Sequence, residues 1–354
     1  MDGPGAPKPV AKAAVVAIVR LTSLGDVIHT LPVASAIRRH TPDTRILWLV
    51  EEREEIILRN NPVVDDVIVV PLRRWRSSLT SLDGWRTSTR EIGNLSRRLR
   101  AAAIDVAIDV QGWAHKTSPL TLLTRAPVRI GFDRRHSRDG ISPLATNRHV
   151  TPPPGARHVV DQNLCLLGPL GLTDTGPAEF PFPSFPDARE RADAWRRAHG
   201  VTPDHRLVVL FPSTRGERKR WPAESFRALG RRLLDDARVR LLVLGGPGEE
   251  RLLDTVRHDL PADRVHVWAP APIPDLAEAI RGAHLAIGND TGPLHIAAAF
   301  GVPSLGLFGP TQGARNGPYG AHCRYLQSPT GRIQDVTVDE VFSACSSTTG
   351  SPAR

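Results

Sequence analysis

Two aspartates stand just beyond apolar runs, where a β-strand gives way to an α-helix, and both could act on a ligand held at the strand ends. The first closes the turn Leu21-Thr22-Ser23-Leu24-Gly25-Asp26. A carboxylate kept ionised by a helix dipole and aimed outward suits a general base. The same residue would equally serve as an ordinary cap for the free amides of the helix. The turn lacks G-x-G-x-x-G, which argues against a dinucleotide cofactor. The second aspartate lies in Gly288-Asn289-Asp290-Thr291-Gly292-Pro293-Leu294-His295. Free amides at Thr291 and Gly292, at the positive end of a helix, suit a diphosphate. Gly292 leaves room for a close approach, and His295, one turn in, could reach the same anion. The plainer alternative is a capping Asp290 with a buried, satisfied His295.

Two further constellations are cationic. The loop Ser213-Thr214-Arg215-Gly216-Glu217-Arg218-Lys219-Arg220-Trp221-Pro222 mixes hydroxyls with four cations. Lys219 stands out because the chain has only three other lysines, Lys8, Lys12 and Lys116. A compact ammonium can neutralise a departing phosphate. Residues 71–100 carry eight arginines against Asp83 and Glu91, and residues 125–158 carry seven against Asp133 and Asp139. Arginine forks match phosphate oxygens. For most of these a solvated face is the simpler reading, less so for Arg73-Arg74-Trp75-Arg76. Nothing in the sequence offers an Asp-x-Asp pair, a P-loop or a zinc-spaced His/Cys cluster, so any phosphate charge falls to Lys219, the arginines and helix ends.

These residues need a scaffold, and the apolar pattern provides one. Short β-branched runs at 13–19, 46–50, 67–70 and 106–110 alternate with helical spacing at 27–38, 89–103 and 158–167. After a Pro-rich stretch the alternation resumes. Strands are expected at 207–211, 240–244, 265–268, 285–288 and 304–308, with helices at 223–236, 249–258, 275–281 and 294–300. Strand–helix alternation implies parallel sheets covered on both faces, with ligands bound at the carboxyl ends of the strands. The expected organisation is a flexible extension over 1–12, a first domain over 13–175, a linker over 176–187, a second domain over 188–345 and a polar tail over 346–354.

Composition agrees. The 354 residues suit about two domains. A 40% hydrophobic content excludes a disordered chain, and no apolar run is long enough to span a bilayer. Three cysteines are too few for a disulfide framework, and residues 1–12 lack the features of a secretory signal. A cytoplasmic protein is the expectation. The net charge of +9 favours anionic partners, but no nucleic-acid motif accompanies it, so no nucleic-acid partner is expected.

The segment Asn289-Asp290-Thr291-Gly292-Pro293-Leu294-His295-Ile296-Ala297-Ala298-Ala299, followed by Leu307-Phe308-Gly309-Pro310-Thr311, closely resembles the signature of glycosyltransferase family 9, the ADP-heptose transferases. Ser23-Leu24-Gly25-Asp26-Val27-Ile28-His29-Thr30-Leu31-Pro32 matches the family's N-terminal motif. Val50-Glu51-Glu52 and Asp109-Val110-Gln111-Gly112 look like further pieces of it. Arg73-Arg74-Trp75-Arg76 is similar to an arginine motif of the branch that adds the first heptose to Kdo-lipid A. The resemblance spans residues 14–330 in order. The loop between Thr214 and Trp221 is one residue longer than in that branch, and Trp113 and His115 depart from its pattern.

The resemblance implies a GT-B fold, an α/β arrangement of two Rossmann-like doubly wound parallel-sheet domains facing a cleft. It implies an inverting transfer from ADP-heptose to a Kdo-containing lipid A acceptor at the inner-membrane surface, with no metal and no cofactor. Asp26 matches the catalytic base and Lys219 a lysine near the donor phosphates. Ser213, Thr214, Asp290, Thr291, Gly292 and His295 match donor-binding positions, and Glu249 is a looser match to a ribose-contacting carboxylate. Arg73, Arg74, Arg76 and Arg138 would hold acceptor phosphates and carboxylates. The alternative within the family is another donor or another glycan acceptor.

Overall fold

In each half of the chain the first strand is too apolar to face water. In a computed structural model, which describes residues 14–78 and 81–349 apart from the side chains of Arg76, Leu82, Trp85 and Thr349, the first strand is Val15–Val19. The extension expected over 1–12 lies outside the described residues, as do 350–354 of the expected tail. The chain divides into two units, Met1–Ser184 and Phe185–Arg354.

The first unit carries β1 (Val15–Val19), β2 (Arg45–Val50), β3 (Asp66–Val69), β4 (Val106–Asp109), β5 (Val128–Phe132) and β6 (Arg148–Val150), in the order β3-β2-β1-β4-β5-β6. The second carries β7 (Arg206–Phe211), β8 (Val239–Leu244), β9 (Val265–Trp268), β10 (Leu285–Asn289), β11 (Ser304–Phe308) and β12 (Cys323–Gln327), in the order β12-β11-β10-β7-β8-β9. Read from β9, the second order repeats the first. Every pairing is parallel. Helices on both faces bury the central strands completely: Val16 to Val19 and Leu47 to Val50 have no exposed surface. The order reverses between β1 and β4 and again between β7 and β10, and such switch points are where open α/β sheets bind ligands.

Local physics explains where expectation and structure differ. The helix expected over 27–38 is two helices, Leu24–Ile28 and Leu31–His40. Pro32 lacks an amide to continue the first and is preorganised to open the second. The helix expected over 89–103 begins earlier, at Leu82, because Ser81 caps it by accepting the Gly84 amide at 3.1 Å. Strands β5, β6 and β12 were not anticipated; β6 and β12 are edge strands with largely exposed side chains and no apolar run. The last helix, Val338–Thr349, runs past Cys345, where a tail was expected, since buried Thr348 bonds back to the Ala344 carbonyl at 2.8 Å.

The Pro-rich stretch is irregular up to Ser184, and a helix starts at Pro186. It is strapped to the first unit. Ser35 donates to Glu179 at 3.0 Å, Arg39 donates to the Thr175 and Pro177 carbonyls, and Asn61 donates to the Pro181 carbonyl at 2.8 Å.

Candidate active site

In the first unit the turn after β1 places Asp26 at the third position of the helix Leu24–Ile28, with Ser23 as the cap. Asp26 is therefore the reciprocal partner of a capping box rather than the cap itself. Its Oδ2 accepts from the Ser23 amide and from Ser23 Oγ, each at 3.0 Å. Its Oδ1 lies 2.5 Å from Arg20 Nη2. The Arg20 side chain is 9% exposed and that of Asp26 is 38% exposed, so the pair is a buried cation holding a carboxylate that still faces outward. Arg20 is itself anchored: its Nη1 donates to the Val110 carbonyl at 3.2 Å, beyond β4. An outward carboxylate with a fixed axis is the geometry a general base requires.

Beside it, at the end of β4, Asp109 is fully enclosed. Its Oδ1 accepts the Gln111 and Gly112 amides at 3.2 and 2.9 Å, and its Oδ2 accepts from Thr117 Oγ1 at 3.0 Å. Gly112, at a φ of 58°, lets the chain curl back for these bonds. Burial pushes the Asp109 carboxyl up to about 6, against the pull of those hydrogen bonds and of Arg20. A carboxyl whose folded value exceeds its unfolded one of 3.8 stabilises nothing when ionised. It costs the fold on the order of 3 kcal/mol above pH 6, a cost that fades as the pH drops towards 4. The Asp109→Asn variant is thus expected to gain thermal stability relative to wild type as pH rises from 4 to 7. Melting curves across that range check it; a gap that does not change with pH overturns it.

The chain just after β2 and just after β4 meets the same turn. Glu51, after β2, donates its amide to the Leu21 carbonyl at 3.1 Å, and Gln111 Oε1 accepts the Leu21 amide at 3.2 Å. Arg73, on the helix Leu72–Ser78, lies with Nε 3.4 Å from buried Glu51 Oε2. Arg74 pairs with Glu91 at 3.0 Å, and Trp75 Nε1 donates to the same carboxylate at 2.6 Å. The Arg76 side chain lies outside the described residues. Arg138 lies by the turn after β4, where its amide donates to the Gly112 carbonyl at 3.1 Å and its guanidinium is 4.2 Å from the centre of the Trp113 ring.

In the second unit the residues of two loops converge on Asp290. Gly288 allows β10 to lie against β7, since a Cβ there would come 2.7 Å from Phe211 Cβ. Asn289, with no exposed surface, donates to the Pro212 carbonyl at 2.7 Å and accepts the Trp221 amide at 2.9 Å. The indole of Trp221 is fully buried and donates to the Val336 carbonyl at 2.8 Å. Both feet of the loop from 212 to 221 are therefore pinned to one asparagine, and Lys219 is delivered to Asp290, Nζ to Oδ2, at 2.7 Å. Thr311 donates to the same oxygen at 3.0 Å, Thr214 donates to the Asp290 carbonyl at 2.6 Å, and His295 Nε2 is 4.0 Å from Oδ1.

The plainer alternative of a capping Asp290 does not hold: the cap of the helix Gly292–Ala299 is Thr291. The ammonium and hydroxyl have drawn the Asp290 carboxylate away from the helix amides. Ser213 follows β7, half-buried. Glu249 stands apart from the Asp290 cluster, in the loop after β8, where its Oε2 accepts the Gly246 amide at 2.7 Å. A cavity of about 490 Å³ is lined by Arg215 to Lys219, Pro310 and Thr311. Three cations against one acid make it suitable for a phosphorylated ligand. Among the described residues no cluster of three His, Cys, Asp or Glu could hold a metal ion.

Arg20, Asp109 and Thr311 were not singled out from the sequence as site residues. Arg20 carried a signal, a charge directly after a five-residue apolar strand.

The pattern described as "Glycosyltransferase family 9 (heptosyltransferase)" matches residues 92–343. The chain is 30% identical over 321 residues to lipopolysaccharide heptosyltransferase 1 of Pseudomonas aeruginosa, covering 88% of this chain and 83% of that protein. It is 29% identical to the Escherichia coli K12 protein of the same description, over 94% of this chain and 99% of that one. Among solved structures it is similar to E. coli heptosyltransferase WaaC with ADP, with a TM-score of 0.76, 26% identity and coverage of 94% and 99%. A glycosyl transferase family 9 structure from Veillonella parvula gives a TM-score of 0.79 at 23% identity, covering 95% and 97%. These likenesses establish the α/β, GT-B-type fold that the sequence motifs implied.

Proposed function

The chain belongs to glycosyltransferase family 9, and on that premise we propose that it transfers heptose from ADP-heptose to a Kdo-containing lipid A acceptor of the lipopolysaccharide inner core. The observation that carries this reading is that each unit has a site at its own switch point: an outward carboxylate at Asp26 in the first and an ammonium held at Asp290 in the second. Similarity over nearly the full length of WaaC, solved with ADP, supports a nucleotide diphosphate at the second.

In the proposed reaction the acceptor hydroxyl oxygen attacks the anomeric carbon of the heptose. Its proton passes to Asp26, the bond from that carbon to the β-phosphate oxygen breaks, and the electron pair leaves with ADP. One displacement inverts the anomeric centre and needs one base and no enzyme nucleophile. Lys219 and the amides of Thr291 and Gly292, at the N-terminus of the eight-residue helix Gly292–Ala299, stabilise the departing charge. This arrangement does the work of a divalent cation, so the proposed reaction is metal-independent. Ser213, Thr214, Asp290 and His295 complete the donor site, and Glu249 is assigned to the ribose. Arg73, Arg74, Arg76 and Arg138 are assigned to acceptor phosphates and carboxylates, for which the bidentate arginine fork is suited. Arg73 and Arg74 would exchange Glu51 and Glu91 for those ligands.

Among the described residues no helix is long and apolar enough to cross a membrane. We assign the protein to the cytoplasmic side of the inner membrane, as a peripheral protein meeting a lipid acceptor there. The test is mass spectrometry of Kdo-lipid A incubated with ADP-heptose and purified protein in EDTA. A gain of one heptose is expected. Transfer only to an acceptor lacking Kdo, or only from another nucleotide sugar, overturns the acceptor or the donor and moves the protein to another activity of the family.

A further inference from the structure

We propose that the β5–β6 loop and the adjoining helix Ser118–Leu123 form a docking surface for an anionic phospholipid bilayer. The proposal deepens the peripheral placement given above and rests on that reading for its biological sense, but its evidence is separate. Five large apolar residues are conspicuously exposed among the described residues, and three lie here: Leu122 at 51%, Ile141 at 58% and Leu144 at 87%. Leu144 belongs to the one-turn helix Ser142–Ala145, which packs against the helix Ser118–Leu123 that carries Leu122. A leucine this exposed gives up most of the favourable transfer free energy that burial would return, and three together suit a surface completed by something apolar.

The surrounding charge says what that something is. Arg125, Arg134, Arg135, Arg138 and Arg148 are exposed, and none forms an ion pair with a carboxylate among the described residues. The two acids of the loop are turned inward and used up. Asp133 accepts the Arg135 and His136 amides and the Thr151 hydroxyl. Asp139 accepts the Ile141 and Ser142 amides and the Ala114 amide. Against the opposing effect of partial burial, these bonds, with the His136 ring at Asp133, hold both carboxyls below the usual carboxylate range, Asp133 at about 2. They also keep the loop in shape, with Ser137 Oγ accepting the Gly140 amide at 3.2 Å. Protruding aliphatic side chains on a segment that also carries exposed arginines without carboxylate partners match a bilayer interface, where the apolar groups enter the acyl boundary and the cations stay with the phosphates. A protein partner of ordinary composition would offer no comparable density of unpaired negative charge.

The experiment is flotation of the full chain with vesicles of equal parts phosphatidylglycerol and phosphatidylcholine, beside vesicles of phosphatidylcholine alone. Wild type is expected to float with the anionic vesicles, less so at high salt, and to remain behind with the neutral ones. Partitioning should fall about fivefold for each of Arg134→Gln and Arg135→Gln and about tenfold for Leu144→Asp. All three positions are exposed, so circular dichroism should be unchanged, as should transfer to a deacylated, water-soluble acceptor. Equal partitioning of wild type and variants overturns the surface, as does failure of wild type to float. So does retention on RNA that is lost in the arginine variants while vesicle binding is absent. If transfer to the soluble acceptor persists while flotation fails, the surface falls and the enzymatic reading stands. If flotation behaves as expected but no heptose is transferred, the reverse holds.

Discussion

Asp26→Asn is expected to lower turnover by about 10²–10⁴-fold, the usual contribution of a general base. Affinity for ADP should stay close to that of wild type, because the proposed nucleotide contacts belong to the second unit. Asparagine is the sharper substitution. Alanine would strand the Arg20 guanidinium, only 9% exposed, without its carboxylate, and would also remove the acceptor for Ser23. A loss of activity in Asp26→Ala could then reflect a disordered turn. Asparagine keeps the volume and an oxygen for one of those donors, while its amide cannot take the acceptor's proton. Steady-state turnover, calorimetric ADP binding and a thermal melt together separate the cases. Wild-type rates in Asp26→Asn would remove the base from the mechanism.

Lys219→Met is expected to cost about 10²–10³-fold in kcat, in the range found when a group that stabilises transition-state charge is deleted. Unlike the change at Asp26, it should also weaken ADP binding, because in the proposed reaction the ammonium faces phosphate before and after the bond breaks. The site should survive the substitution. Thr311 still donates to Asp290, and the loop is held at Trp221 and Asn289 rather than at Lys219. Lys219→Arg is expected to recover only part of the rate, since a planar fork cannot occupy the place of a point charge 2.7 Å from a carboxylate without shifting it. A kcat within threefold of wild type in the methionine variant would assign the leaving-group role to the helix amides alone.

The sequence made Asp26 and Asp290 legible for one reason: each follows an apolar strand and precedes helical spacing, and a carboxylate in that position stands out locally. Lys219 stood out too, but its contact and that of Thr311 with Asp290 were not visible, because these residues come from far along the chain. Lys219 and Asp290 are 71 residues apart, and Thr311 reaches back 21. Only the fold of the second sheet brings the three together. The same distance effect explains the helix cap: Asp290 is the better capping residue in isolation, but an ammonium and a hydroxyl outcompete two backbone amides. For Arg20, and for Asp109 within its family-like segment, it was the burial that stayed hidden. A lone arginine after a strand and an aspartate ending one look like solvated strand ends, and only the neighbouring strand ends reveal that both are enclosed. The central strands announced themselves by composition. The edges β6 and β12 did not, because an edge strand packs little and its side chains answer mainly to water.

Arg20 has one guanidinium on two loads, the Val110 carbonyl and the Asp26 carboxylate. Anyone exchanging acceptor preferences between relatives by splicing the turn at residues 21–30 would carry over the aspartate and leave its bearing behind. A chimera cut between residues 20 and 21, or one that changes the β4 end under Val110, should therefore fold and bind nucleotide yet turn over poorly. The smallest transplantable piece is the turn together with both strand ends that hold it.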